Sequence, residues 1–195
     1  MTLDSSEEKR IREIIEYQVK QLDAIYKITC PPKDYAEWKS PGLSEGELRE
    51  IEARLGMRLP EEQRIALGVF EFRISPTHEL DAGFSDGFVP VNNMCLASDF
   101  VLGDEKIKGA IESVLDILPE KPKYFGALHH VPWHKDRIWI GADDTFHWFV
   151  DLNPPSGGVY GQIICVGLEE IRVVAKNYIE FLGIIIKSFK ENESM

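Results

Sequence analysis

At 195 residues the chain is long enough for one domain with a buried core, and 44% apolar with 28% charged residues is typical of a globular protein. The formal net charge of -11 argues against a nucleic-acid partner, because a phosphate backbone repels a surface without a basic patch. The N-terminus lacks a basic region followed by an apolar core, and no apolar run is long enough to span a bilayer. We therefore expect a cytoplasmic protein without a membrane partner.

The N-terminal stretch predicts an amphipathic helix that precedes the main domain. Ser5 and Glu8 have the spacing of a capping box, and apolar residues recur at helical spacing as far as Lys27. Two prolines end this helix, and the segment after them is expected to be a linker. The helix either packs back on the domain or binds a partner, and the first alternative is favoured because an apolar stripe usually packs into the chain's own core. The sequence thus divides into a helix and linker over 1–40 and a domain over 41–190.

Two further helices are predicted at the start of this domain. Ser44 and Glu47 form a second capping box, and Gly56 is a typical helix stop. Pro60 suits the first turn of the next helix, which should run to about Phe70. After it, a turn and a strand are predicted over 84–91, followed by a helix that Asp104 caps and Pro119 ends, and then a loop over 121–135.

The centre of the domain is predicted to be three strands joined by two short connections. Apolar, aromatic and β-branched runs over 137–142, 146–152 and 161–166 have strand length. Such short connections favour antiparallel pairing, since a parallel crossover needs about a dozen residues or more. A helix with an apolar stripe is predicted over 168–187, packed on this meander. The expected fold class is α+β, with a mostly antiparallel sheet flanked by helices.

The meander also carries a family resemblance. Its pieces are, in order, Trp139-Ile140-Gly141 followed by Asp143, an aromatic strand ending in Asp151-Leu152, a Pro/Gly loop, and Gly161-Gln162-Ile163-Ile164. Together with the two helices that begin near Leu43, this order resembles the SUKH superfamily, which includes the fungal Smi/Knr cell-wall-assembly regulators and many bacterial toxin-immunity proteins. The resemblance covers residues 43–189. Relatives commonly end the second family helix with an Asn-Gly pair, whereas this chain has Gly68-Val69-Phe70 there.

No set of residues with catalytic or metal-binding spacing is visible in the sequence. The adjacent His129 and His130 point to opposite faces of an extended backbone, and neither they nor His134 and His147 have HExxH spacing. The glycine-rich stretch 157–161 precedes a strand, so it presents no helix N-terminus to a phosphate. The cysteines lack the paired spacing of a disulfide framework or a zinc knuckle: Cys30, Cys95 and Cys165. We therefore expect no enzyme, no metal and no cofactor.

The candidate partner-binding residues lie in the meander. Residues 141–175 contain five acidic residues and one basic residue, Arg172. Strand alternation places Trp148 on one sheet face and Phe149 on the other. Either one of these faces is partly exposed, or helices and loops cover both. Because aromatic anchors inside a polar rim are typical of protein-binding sites, the candidates are Asp143, Asp144, Trp148 and Phe149.

The resemblance implies a non-enzymatic protein-binding domain, in the first place an immunity protein that neutralises a cognate toxin by direct binding. We expect a monomer whose partner is a basic toxin domain, since nuclease toxins need cationic surfaces and an acidic surface can mask them. A Smi/Knr-like regulatory scaffold in cell-wall assembly or signalling is the alternative, although those relatives carry long disordered flanks that this chain lacks. A hydrolase is the least favoured, because no nucleophile, base and oxyanion donor come together.

Overall fold

The computed structural model describes residues 5–29, 39–72, 122–131, 136–142, 146–167 and 169–192. The helices in these segments are α1 (Ser5–Thr29), α2 (Glu45–Leu55), α3 (Glu61–Val69) and α4 (Tyr178–Asn192). The strands are β1 (Lys39–Pro41), β2 (Phe70–Phe72), β3 (Lys123–Phe125), β4 (Arg137–Ala142), β5 (His147–Asp151), β6 (Gln162–Val166) and β7 (Glu170–Ala175). The predicted strand over 84–91 and the predicted helix after Asp104 lie outside the described residues.

The N-terminal helix α1 packs on the domain. It contacts α3 and α4, and its Ile15 and Leu22 are buried in the main hydrophobic core. The side chain of Gln18 donates a hydrogen bond of 3.0 Å to the carbonyl of Ile179 in α4. Of the two alternatives for this helix, the structure therefore shows the first, in which its apolar stripe is part of the chain's own core.

The helices α2 and α3 form where local capping predicts them. The hydroxyl of Ser44 accepts from the backbone N–H of Glu47, and the Glu47 carboxylate accepts from the backbone N–H of Ser44 at 2.7 Å, so the capping box is complete. Gly56 ends α2 with a φ of 68°, in the left-handed region that favours glycine. α3 begins directly after Pro60 and ends one residue before the predicted Phe70. These boundaries depend on contacts within a few residues, which the sequence reveals.

A two-stranded sheet that the sequence did not predict joins the expected linker to the end of α3. β1 pairs antiparallel with β2, the strand that directly follows α3. The connection requires Gly42, because a Cβ there would lie 2.2 Å from the carbonyl oxygen of Gly68. Leu43 then donates a backbone hydrogen bond of 2.8 Å to Leu67. Strands of three residues have too little periodicity to be recognised from sequence.

The main sheet has five strands in the order β3-β7-β6-β5-β4. β4, β5 and β6 form the predicted antiparallel meander, and β7 extends it antiparallel to β6. β3 pairs parallel with β7, although the sequence predicted only a loop over 121–135. The α+β class is confirmed, and the sheet is mostly antiparallel with helices packed on it.

The predicted helix over 168–187 is wrong in its first half. Residues Glu170–Ala175 form β7, and α4 begins only at Tyr178. Ile171 and Ala175 are both buried and lie four positions apart, as on one face of a helix. In the strand a register shift separates them, and only Ala175 belongs to the main core. The helix start is decided locally, since the Asn177 side chain accepts from the backbone N–H of Glu180 at 2.9 Å.

Both faces of the central strands are buried. On one face, the side chains that pack with the helices belong to the main core: Ile138, Ile140, Trp148, Val150, Ile163 and Cys165. The opposite face carries a second set of buried side chains: Leu128, Phe149, Ile164, Val166 and Ile171. Every residue of β5 and of β6 is buried as a result. This is the pattern of a sheet covered on both sides.

Candidate functional site

The five-stranded sheet has two ends with different character. At one end, which we call the turn end, the chain passes through residues 143–145 between β4 and β5 and through Gly167 between β6 and β7. At the other, the loop end, residues 126–131 follow β3 and residues 152–161 connect β5 to β6. The sequence-predicted partner site belongs to the turn end, and the buried polar side chains belong to the loop end.

Two of the four predicted partner-binding residues are described by the structure, and neither is exposed. Asp143 and Asp144 lie outside the described residues. Trp148 and Phe149 are 6% and 3% exposed, so the structure shows the alternative in which both sheet faces are covered. Trp148 packs with its ring centroid 6.5 Å from that of Phe181 in α4. A binding role for these four residues stays a prediction, and a partner reaches neither aromatic side chain without disturbing the packing of the sheet.

Of the five acidic residues counted between 141 and 175, fewer contribute negative charge to the surface than the sequence indicates. Asp151 is fully buried and lies at the loop end. Glu169 is 3.9 Å from Lys123, and Glu170 pairs with Arg172, so the acids at the start of β7 and in its preceding turn both face cations. Exposed pairs of this kind leave little net charge at the surface.

Arg137, the first residue of β4, is the buried cation of the loop end. Its guanidinium donates to the carbonyl of Val131 at 2.7 Å and to the carbonyl of His129 at 3.0 Å. Burial lowers the pKa of Arg137, and the nearby Asp151 carboxylate opposes that shift. Arginine nevertheless remains protonated in proteins. A fixed positive charge therefore holds the backbone of the first loop.

Asp151 and Gln162, paired across β5 and β6, hold the second loop and join it to the first. The Gln162 amide donates to the Ala127 carbonyl at 2.7 Å and to the Asp151 carboxylate at 3.1 Å. Its oxygen accepts from the backbone N–H of Val159 at 3.1 Å. The other Asp151 oxygen accepts from the N–H of Asn153 at 3.2 Å. One buried glutamine thus bonds both loops at once.

Further hydrogen bonds fix the rims of the two loops. The His129 ring lies 3.0 Å from the Asn153 carbonyl, and the Asn153 amide donates to the Asp136 carboxylate at 2.9 Å. The Tyr160 hydroxyl donates to the carbonyl of Arg58, before α3. The next residue, Gly161, has a φ of 84°, and a Cβ there would lie 2.8 Å from Pro60. The second loop is therefore tied both to the first loop and to the helical layer.

Three apolar side chains are exposed on these fixed loops. Val131 is 40% exposed, Val159 49% and Tyr160 47%. We call these three residues the loop-end patch. Sequence reasoning missed it, because Arg137 and Gln162 look like ordinary strand ends until the register places both beside Asp151.

The histidines that the sequence places close together have separate roles where they are described. His130 stacks on Tyr124, with ring centroids 4.5 Å apart and planes 15° apart. His147 is buried at the turn end, and this burial lowers its pKa to about 4. His134 lies outside the described residues. Within the described segments, no three His, Cys, Asp or Glu side chains are grouped so that they could hold a metal ion.

The family of the chain follows from comparison with known proteins. The family model described as SMI1 / KNR4 family (SUKH-1) matches residues 42–184, well over half of the 195 residues. The chain belongs to the SMI1/KNR4 family (SUKH-1). Both ends of the sheet lie inside the matched range, whereas α1 precedes it. Among curated proteins, none matches this chain.

None of the helices in the described segments has the length and hydropathy needed to cross a membrane.

Proposed function

We propose that this SUKH-1 domain is a non-enzymatic immunity protein that neutralises a cognate toxin by binding to it directly. Its family supports this class of function, because bacterial proteins that resemble the SUKH superfamily are typically immunity proteins. Fold alone does not establish function, so the proposal needs support from a particular site.

The observation that carries the proposal is the loop end. Arg137, Asp151 and Gln162 are buried, and their polar atoms bond the backbone of two loops that display apolar side chains. A surface that is ordered before binding loses less conformational entropy on association. The polar atoms of these buried side chains bond to loop backbone and, between Gln162 and Asp151, to each other, which supports a role in shaping a binding surface more than a role in proton or group transfer.

The charge distribution supports a basic partner. Between residues 73 and 121 there are nine acidic and four basic residues, and Asp143 and Asp144 add two more acids at the turn end. A net charge of -11 raises the association rate with a cationic protein, because long-range attraction steers diffusional encounter. We propose a basic toxin domain as the partner, bound in the cytoplasm by a single copy of the chain.

Co-expression with a toxin tests this function. Candidate toxin domains taken from genes that neighbour the one for this chain are each expressed in a host whose growth they arrest, with and without the present chain. Growth should be restored, and the purified chain should bind a catalytically inactivated toxin domain with one-to-one stoichiometry in calorimetry. Absence of both rescue and binding would contradict the proposal, and rescue without a complex would contradict neutralisation by direct contact.

A further inference from the structure

We infer that the loop-end patch, Val131, Val159 and Tyr160, is the surface that contacts the toxin domain, while the acidic segments steer the encounter. The inference rests on the proposed function and adds to it the place and the chemistry of the contact. The partner that fits is a folded protein domain that presents an apolar, uncharged face to these two loops.

The first argument is the absence of charge from the two loops. Residues 126–131 and 152–161 contain no Asp, Glu, Lys or Arg, in a chain of which 28% of the residues are charged. Exposed loops are usually polar, and depletion of charged residues distinguishes the core of a protein interface from the rest of the surface. Tyrosine is also among the residues that most often dominate binding energy.

The second argument is the cluster that fixes the loops. Burying an ionised side chain carries a desolvation cost, so stability alone does not account for Arg137 and Asp151 at this position. Arg137 donates hydrogen bonds to the carbonyls of His129 and Val131, and Asp151 accepts one from the N–H of Asn153. The cluster therefore specifies the shape of the loops, which is the property that a binding surface needs.

The third argument is a contrast between the two valines of the patch and exposed apolar residues on the helices; Tyr160 itself lies near Glu52 and Arg58. Tyr17 is 65% exposed and Ile184 is 45% exposed. Each has an acidic residue four positions before it and a lysine three positions after it, Glu13 and Lys20 for Tyr17, and Glu180 and Lys187 for Ile184. Positions three and four apart are neighbours on a helix surface, so both apolar side chains sit among charges. Single exposed apolar residues of this kind are ordinary and need no partner.

The decisive experiment compares two kinds of surface variant in binding to the catalytically inactivated toxin domain. The double variant Val131→Asp/Val159→Asp changes the loop-end patch, and Ile184→Asp, at a similarly exposed position, is its control. We expect the double variant to raise Kd by at least about 30-fold, mainly through faster dissociation, and the control to change it by less than about 2-fold. Thermal melting should show all three proteins folded, because the changed side chains are exposed.

The outcomes separate this inference from the proposed function. If the wild-type chain neither binds nor neutralises the toxin domain, the proposed function fails and the inference fails with it. If the wild-type chain binds and the double variant binds equally well, only the loop-end assignment is wrong. Sedimentation velocity on the chain alone gives a further test. If the wild-type chain is a dimer and the double variant is a monomer, the patch binds a second copy of the chain, and the toxin contact is overturned.

Discussion

The turn end and the loop end of the sheet use ionic side chains in opposite ways. At the turn end, Glu169 and Lys123 are largely exposed and face each other across 3.9 Å. At the loop end, Arg137 is buried and gives its hydrogen bonds to backbone carbonyls. Exposed pairs contribute about 0–1 kcal/mol and largely cancel each other's charge, whereas a buried ion must be satisfied by fixed partners. The paired charges at the turn end therefore contribute little to the fold, and the buried charge at the loop end fixes the shape of the loops.

The largest expected effects come from the two buried aromatic residues next to the turn end. Trp148→Ala and Phe149→Ala should each lower the free energy of unfolding by about 3–5 kcal/mol, because each truncation leaves a cavity in a packed layer. Urea denaturation measures the loss. Phe146→Ala is the control, since that ring is exposed and should cost less than about 1 kcal/mol. A Phe149→Ala protein of wild-type stability would show that this side of the sheet is not a packed layer.

The next effect compares one arginine from each end. Arg137→Met should destabilise the fold by about 3 kcal/mol, because it leaves the Asp151 charge buried and two loop carbonyls without their donor. Arg172→Met, at the turn end, removes an exposed ion pair and should cost less than about 1 kcal/mol. Chemical denaturation of both variants gives the comparison. Equal losses would contradict the distinction between the two ends.

Acid sensitivity should come in part from the turn end, through His147. Burial holds its folded-state pKa at about 4, below the unfolded value of 6.5, so the unfolded chain binds the extra proton first. The contribution of neutral His147 to the free energy of unfolding is therefore fully present above pH 6.5 and is lost as the pH falls towards 4. The loss between pH 7 and pH 5 is about 2 kcal/mol. His147→Gln should remove this part of the pH dependence in urea titrations, whereas His130→Gln, at an exposed site, should leave it in place.

The smallest change in equilibrium binding is expected from the steering residues. Asp143→Lys/Asp144→Lys should slow association with a basic toxin domain several-fold at low salt and flatten the salt dependence of that rate. The dissociation rate should stay within about 2-fold, because the contact itself lies at the loop end. Stopped-flow association at a series of salt concentrations measures both quantities. A large rise in the dissociation rate would instead make the turn end the contact surface.

Much of the helical layer and the centre of the sheet could be predicted from sequence, because the signals are local. The capping box of Ser44 and Glu47, the stop at Gly56 and the meander through β4, β5 and β6 depend on neighbours along the chain or on strand period. Between 168 and 187 the apolar positions have helical spacing throughout. Only pairing with β6 selected a strand for Glu170–Ala175.

The candidate site was decided by the tertiary structure. Nothing within a few residues of Arg137 shows that it will be buried beside Asp151, or that Gln162 will bond the backbone of two loops. Likewise, alternation placed Trp148 and Phe149 on opposite faces, but only packing showed that both faces are covered. Helix caps and apolar periodicity depend on residues within about four positions of each other, so the sequence reveals them. Strand register, burial and the partners of a buried ion depend on contacts between segments that are far apart in the chain.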